Sequence, residues 1–269
     1  MILLDGQSLA KKILSSLKFA NIRLDIILIG NHPQSLKYID LKLKKAQELG
    51  VKVTVHRLPE TTPQSEILSL INCLNHDQSV TGFLIQLPLP SHLNRSLIIN
   101  SIHPAKDVDG LTVDSSLNPA VVTGIIKLLD EYHLELSGKK IVVVNDSSLV
   151  GQPLKRLLHQ RGGLVTLCND QTRNLTQFTN QAGILISATG VKKLITADMV
   201  KDRAVVIDAA NGDVDFAAVS LKCSYITPTY GSIGPLTIAC LFENLYKISH
   251  HNAPPALRPR QPSGQKTFY

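Results

Sequence analysis

Strand-like and helix-like segments alternate along nearly the whole chain, and that alternation constrains the fold more than any single motif does. Residues 25–29 form a short apolar run stopped by Gly30, the pattern of a buried strand. Residues 35–49 read as a helix ended by Gly50 in the favoured capping position. Residues 51–55 alternate and are β-branched. Residues 65–74 have helical spacing, and residues 81–86 make a third strand, stopped by Leu87-Pro88-Leu89-Pro90. Strands joined through helices imply a parallel sheet covered by those helices.

The rhythm restarts after Asn118 and Pro119, a natural domain boundary. Residues 124–132 read as a helix and 140–144 as a strong strand. Residues 153–161 read as a helix with Pro153 near its first turn. Residues 164–168, 184–188 and 204–208 are further strands, and 237–248 a final amphipathic helix. The expected fold class is therefore α/β, with two lobes. Residues 251–269, with Pro254, Pro255, Pro259 and Pro262, read as a flexible extension.

Composition narrows the function classes. The chain is 43% hydrophobic and 18% charged, enough apolar mass for a packed core. Its net charge is +7, but Arg258, Arg260 and Lys266 place three of those charges in the extension. The body shows no basic stripe with interleaved aromatics, so no nucleic-acid partner is expected. Three charges among prolines are a thin basis for an RNA or membrane-surface contact. Cys73, Cys168, Cys223 and Cys240 match no zinc spacing. No metal is expected, and free thiols suit a cytoplasmic protein. Met1 to Gly6 does not begin a signal peptide. The longest uncharged stretch, 223–242, contains two Pro and two Gly, so no membrane span is expected.

Residues 142–153 form a strand, a short loop and a helix start, an arrangement that suits a pyrophosphate. The loop has one glycine, Gly151, and does not match GxGxxG; such a unit is commonly an ordinary βαβ crossover. Asp170, after the next strand, could accept hydrogen bonds from a ribose diol and would repel a 2′-phosphate. As an ordinary residue it would be a turn aspartate. Tyr38 and Lys42 stand four apart, on one helix face. Gln86 sits at the carboxyl end of a parallel strand, where ligands of α/β folds bind. Asp107 and Asp109 lie in a loop between the two units. Singly, these are a solvated pair and turn residues.

Taken together, the motifs have an order. They are Ser35-x-x-Tyr38-x-x-x-Lys42, Gly82-Phe-Leu-Ile-Gln-Leu-Pro-Leu-Pro90, Lys106-Asp-Val-Asp-Gly110 and Ser147-x-x-Val-Gly-x-Pro153. Ala188-Thr-Gly190, Gly212-Asp-Val-Asp215 and Gly234-Pro-x-Thr237 follow. Over residues 2–248 the sequence resembles the bifunctional methylenetetrahydrofolate dehydrogenase/methenyltetrahydrofolate cyclohydrolase family. The resemblance implies a catalytic, folate-binding lobe at 1–117, with helix 237–250 packing back on it. It also implies a Rossmann-type NAD(P)-binding lobe at 118–236, across a cleft. The implied chemistry is oxidation of 5,10-methylenetetrahydrofolate with NADP and hydrolysis of the methenyl product to 10-formyltetrahydrofolate, by a homodimer joined through the Rossmann lobe.

The resemblance also implies roles. Lys42 is the key catalytic group, Tyr38 stacks on or orients the folate, Gln86 hydrogen-bonds the lysine and Asp109 holds the pterin's amino edge. Gly234 and Pro235 would contact substrate, and Asn145, Asp146, Ser147, Asp170, Gly190 and Asn211 the cofactor. Hydride transfer asks mainly for alignment, whereas hydrolysis needs a proton-handling group such as a buried lysine.

Departures gather in the cofactor half. The family's Gly-Arg-Ser loop reads Asn145-Asp146-Ser147, and the next strand leads into Asn169-Asp170. Asn tolerates a left-handed backbone. An acid in place of the arginine faces the 2′-phosphate of NADP with a like charge, at about 1 kcal/mol or more per close pair. Asp146 and Asp170 therefore favour NAD. Pro-Cys-Thr-Pro reads Pro119-Ala-Val-Val122, and Pro-Gly-Gly reads Tyr230-Gly-Ser232, where the tyrosine is expected to narrow the cleft or stack on a ring. The segment from Asp208 to Gly212 is shortened. The reduced readings are a cyclohydrolase with a decayed dehydrogenase site, or a non-catalytic folate- or nucleotide-binding partner protein.

Overall fold

A computed structural model describes residues 1–251. In chain order its elements are β1 (Ile2–Leu3), α1 (Gly6–Ser15), β2 (Arg23–Ile29), α2 (Pro33–Glu48), β3 (Lys52–Leu58) and α3 (Gln64–His76). Next come β4 (Gly82–Ile85), α4 (Arg95–Asn100), α5 (Ala120–Glu131), β5 (Lys140–Val144) and α6 (Gly151–Gln160). The chain continues through β6 (Leu164–Cys168), α7 (Leu175–Thr179), β7 (Ile184–Ser187), β8 (Val205–Asp208), α8 (Phe216–Val219), β9 (Tyr225–Ile226) and α9 (Ile233–His251). The expected extension lies beyond the described residues, except for His251.

Both sheets are parallel. One has three strands, in the order β3-β2-β4. The other has six, in the order β1-β9-β8-β7-β5-β6. Alternation along the central strand β2 divides its side chains between two faces. Leu24, Ile26 and Leu28 enter a core shared with α1, α5 and α9, whereas Ile27 and Ile29 pack with Ile67, Ile71 and Phe83. The first of these cores also takes in Val143, Ile186 and Ile207 of the larger sheet, so one apolar interior runs through both units. Helix α9 packs against both α1 and α5. Asp25, fully buried on β2, is neutralised by two 2.8 Å bonds from Arg23 and a 2.7 Å contact with His56.

Helix starts differ most from the periodicity. Helices α2, α5, α6 and α9 begin two to four residues earlier than the apolar pattern alone suggests. A proline stands before or within each first turn (Pro33, Pro119, Pro153 and Pro235), where its missing N–H leaves no intrahelical bond unmade. Periodicity gives no sign of β1 and β9, which are two residues each and pair with one another across the length of the chain. Helix α1 also escapes it; Asp5 caps that helix by accepting from the Ser8 amide at 3.0 Å.

Candidate active site

A cleft of about 900 Å³ lies where the carboxyl ends of the two sheets face each other. Tyr38, Lys42, Gln86 and Asp109 line it from the first unit, and Val150, Ala188, Thr189 and Ala209 from the second. Gly234 and Thr237, at the start of α9, complete the wall. The four residues expected to carry the folate chemistry are thus brought together.

Lys42 projects from the buried face of α2 and is only 7% exposed. Its Nζ donates to Gln86 Oε1 at 3.0 Å. The Gln86 amide cannot turn freely, because its Nε2 donates to the Leu87 carbonyl at 2.8 Å. Burial pushes the Lys42 ammonium below the ordinary lysine range, and the negative charge of Asp109 only partly opposes this. Burial also pushes the Asp109 carboxyl up, with Lys42 pulling the other way and Asp107 adding to the rise.

The two loop aspartates have separate tasks. Asp107 accepts from the amides of Gly110 at 2.9 Å and Thr112 at 2.8 Å, so it builds the turn. Gly110 permits that turn with φ +68°, and a Cβ there would lie 2.5 Å from the Asn118 carbonyl oxygen. Asp109 is left facing the cleft.

On the other wall, Asn145 Oδ1 gathers three donors: the Ser147 amide at 2.9 Å, the Ser147 hydroxyl at 2.7 Å and the Gly151 amide at 3.1 Å. The loop presses so tightly on α6 that a Cβ at Gly151 would fall 2.1 Å from the Asn145 carbonyl oxygen. The helix start is accordingly less open than expected, since the Gln152 amide is also taken, by the Ser147 carbonyl at 3.0 Å. Among the described residues, the loop amides without a protein partner include those of Asp146, Ser148 and Leu149, and they are donors the loop can offer to a phosphate. A dinucleotide fits this donor set.

Beyond the loop, Asp146 is exposed and accepts from Asn169 Nδ2 at 2.8 Å. Asp170 is exposed in the following turn. Gly190 donates its amide to Asp213 Oδ1 at 2.9 Å. Asn211 instead reaches across the cleft and donates from Nδ2 to the Tyr38 hydroxyl at 3.2 Å. Two expected positions lie elsewhere. Pro235 lines a separate hollow between α1 and α2, and Tyr230 is 71% exposed and outside the cleft wall.

Motif reading passed over Asp208 and Asp213 as functional residues. Asp213 is buried and accepts from the Ser187 hydroxyl at 2.6 Å, and from the amide and hydroxyl of Thr189 at 2.7 and 2.9 Å. Asp208, also buried, accepts from the amides of Ala210, Gly212 and Val214. The available signal was a pair of acids bracketing a short loop after an apolar strand.

The tetrahydrofolate dehydrogenase/cyclohydrolase catalytic-domain family model matches residues 4–109, and the NAD(P)-binding-domain model of the same family matches residues 119–253. The chain belongs to the tetrahydrofolate dehydrogenase/cyclohydrolase family. The bifunctional protein FolD of Campylobacter jejuni is 42% identical, over 92% of this chain and 98% of that one. The crystal structure of the C. jejuni bifunctional FolD dehydrogenase/cyclohydrolase superposes with a TM-score of 0.89 at 40% identity, over 94% of this chain and all of the other. The Trypanosoma brucei FolD, solved with NADP and an inhibitor, has a TM-score of 0.87 at 25% identity, over 93% and 97% of the two chains. In this family member, the residues matching the catalytic-domain model and those matching the nucleotide-binding model meet across one cleft.

Proposed function

We propose that this chain is a bifunctional folate enzyme. It oxidises 5,10-methylenetetrahydrofolate with a nicotinamide dinucleotide and hydrolyses the methenyl product to 10-formyltetrahydrofolate. The observation that carries this reading is Lys42, buried on the cleft wall, tied to Gln86 and facing the nucleotide lobe. Relatives named for both activities support it, and nothing favours the reduced readings.

Hydrolysis needs a base that is neutral beside a cationic substrate. Burial disfavours the charged form of Lys42 and so lowers the cost of reaching the neutral amine that this step uses. The Lys42 Nζ is held by Gln86 and lines the cleft, where a water would approach it. The amine takes a proton as the water oxygen bonds to the methenyl carbon. The resulting ammonium returns that proton to N5 as the carbon–N5 bond breaks, while the hydroxyl formed on the carbon gives up its remaining proton to solvent, leaving the formyl group on N10 and one net proton released. Asp109 accepts N–H bonds from the pterin amino edge, and Tyr38 stacks along the ring system. Bound NAD(P) supplies the hydride acceptor; the protein's task in that step is alignment. The amides of Ser148 and Leu149 would hold the pyrophosphate.

The favoured cofactor is NAD. Asp146, steadied by Asn169, presents a carboxylate suited to a ribose diol, and Asp170 adds a second negative charge nearby in sequence. A homodimer is proposed through the nucleotide lobe, where edge strand β6 exposes Leu164 (57%) and Phe178 lies 39% exposed. Four free cysteines suit the cytoplasm.

The test follows each reaction separately. Methenyl formation is measured with NAD and with NADP, and hydrolysis is measured on supplied methenyltetrahydrofolate without nucleotide. Both activities are expected, with higher kcat/KM for NAD. Absence of oxidation, or better use of NADP, overturns the corresponding part.

A further inference from the structure

The loop 209–212 leads from the end of β8 to Tyr38 on the opposite wall of the cleft. It is short and held from both ends. Asp208 accepts from the amides of Ala210 at 3.1 Å and Gly212 at 2.8 Å. Asp213 is anchored to Thr189 and Gly190. Asn211 stands at the crest with φ +62°, a left-handed conformation that Asn tolerates better than most residues. The backbone of the crest is therefore held, and the carboxamide it carries is placed by its bond across the cleft. What it meets is Tyr38, 173 residues away in sequence and on the opposite lobe.

The direction of this hydrogen bond matters. Asn211 Nδ2 donates and the Tyr38 hydroxyl oxygen accepts at 3.2 Å. A phenol that receives a donor at its oxygen has its own proton turned elsewhere and strengthened as a donor. Gly234 flanks the same hydroxyl, where a Cβ would sit 3.6 Å away, so the ring has a defined seat on the cleft wall.

We propose that Asn211 is a positioning residue for the folate, acting through Tyr38, and not a ligand of the nucleotide. The inference rests on the folate reading above. It gives the cofactor lobe a direct hand in the step that needs no cofactor, because hydrolysis also requires the ring to be seated.

The test uses the full chain with Asn211→Gly, which removes the amide at a backbone angle glycine accepts, and with Asn211→Asp, which keeps the size but not the donor. Hydrolysis of methenyltetrahydrofolate is measured without nucleotide, and the nucleotide KM is measured separately in the oxidation of methylenetetrahydrofolate. Loss of one net hydrogen bond corresponds to about a fivefold change. Both variants should raise the folate KM by about that factor, with a smaller effect on kcat, and should leave the nucleotide KM within about twofold. In a Tyr38→Phe background the same substitutions should add nothing further. A rise in nucleotide KM with an unchanged folate KM would overturn the proposal. So would additivity with Tyr38→Phe, or wild-type behaviour of Asn211→Asp. A wild-type protein inert in both reactions would instead overturn the folate reading itself, a result distinguishable from all of these.

Discussion

The two walls of the cleft use carboxyl groups in opposite ways. On the cofactor wall, Asp208 and Asp213 are surrounded by N–H and O–H donors, three or more each, and hold two loops in place. On the folate wall, Asp109 faces a cavity and a buried amine, and burial pushes its pKa up. Donors stabilise a carboxylate and make it scaffold; desolvation without donors leaves it available to a ligand. Asp107 and Asp109, two residues apart, repeat the contrast within a single loop.

The largest effect should come from Lys42→Met. Hydrolysis, followed by loss of methenyl absorbance, should fall by about 10²- to 10⁴-fold, the usual worth of a positioned acid–base group. Folate binding measured by calorimetry should persist. Retained hydrolysis would place the proton-handling group elsewhere. Next is Asp213→Ala, which strands the Ser187, Thr189 and Gly190 donors. Denaturant unfolding should report a loss of about 2–4 kcal/mol, and nucleotide KM should rise more than folate KM. A loss under 1 kcal/mol would dissolve the contrast between the walls.

A pH series sharpens the same comparison. Lys42 has a folded pKa below its ordinary value of 10.5. Between those two values the unfolded chain binds a proton that the native chain does not, so this residue's contribution makes stability rise with pH across that window. The slope is at most ~1.4 kcal/mol per unit. Lys42→Met should lack that rise and, compared by thermal melting at pH 7, should be the more stable protein. The smallest effect belongs to the exposed Asp146. Asp146→Ser should shift the NADP-to-NAD ratio of kcat/KM towards NADP by about tenfold or less, because solvent screens an exposed charge.

Local signals carried much of this. The four-residue spacing of Tyr38 and Lys42, and Gln86 at a strand end, required only helix and sheet geometry to be read. The order of the strands within each lobe is a long-range matter, yet the repeated crossovers already implied parallel pairing. What stayed hidden depends on contacts that no window of sequence contains. Strand β1 makes sense only beside β9, and Asn211 only beside Tyr38. The assignment of Asp107 to the turn and Asp109 to the cleft needed the path of the backbone through Gly110. Tyr230 looked like a ring for the cleft because its neighbours in sequence are cleft residues, but the turn at Gly231 (φ +83°) lies between it and the wall.

Strand β1 has a consequence for how the molecule could be taken apart. The chain's first strand lies in the nucleotide sheet, and α1 immediately after it is clasped by α9. The folate unit is therefore moored at both of its ends, and the connector through Val113, 83% exposed, is not its sole attachment. Cutting the backbone there should yield two fragments that stay together and elute as one particle. The same site should accept new termini in a circularly permuted chain.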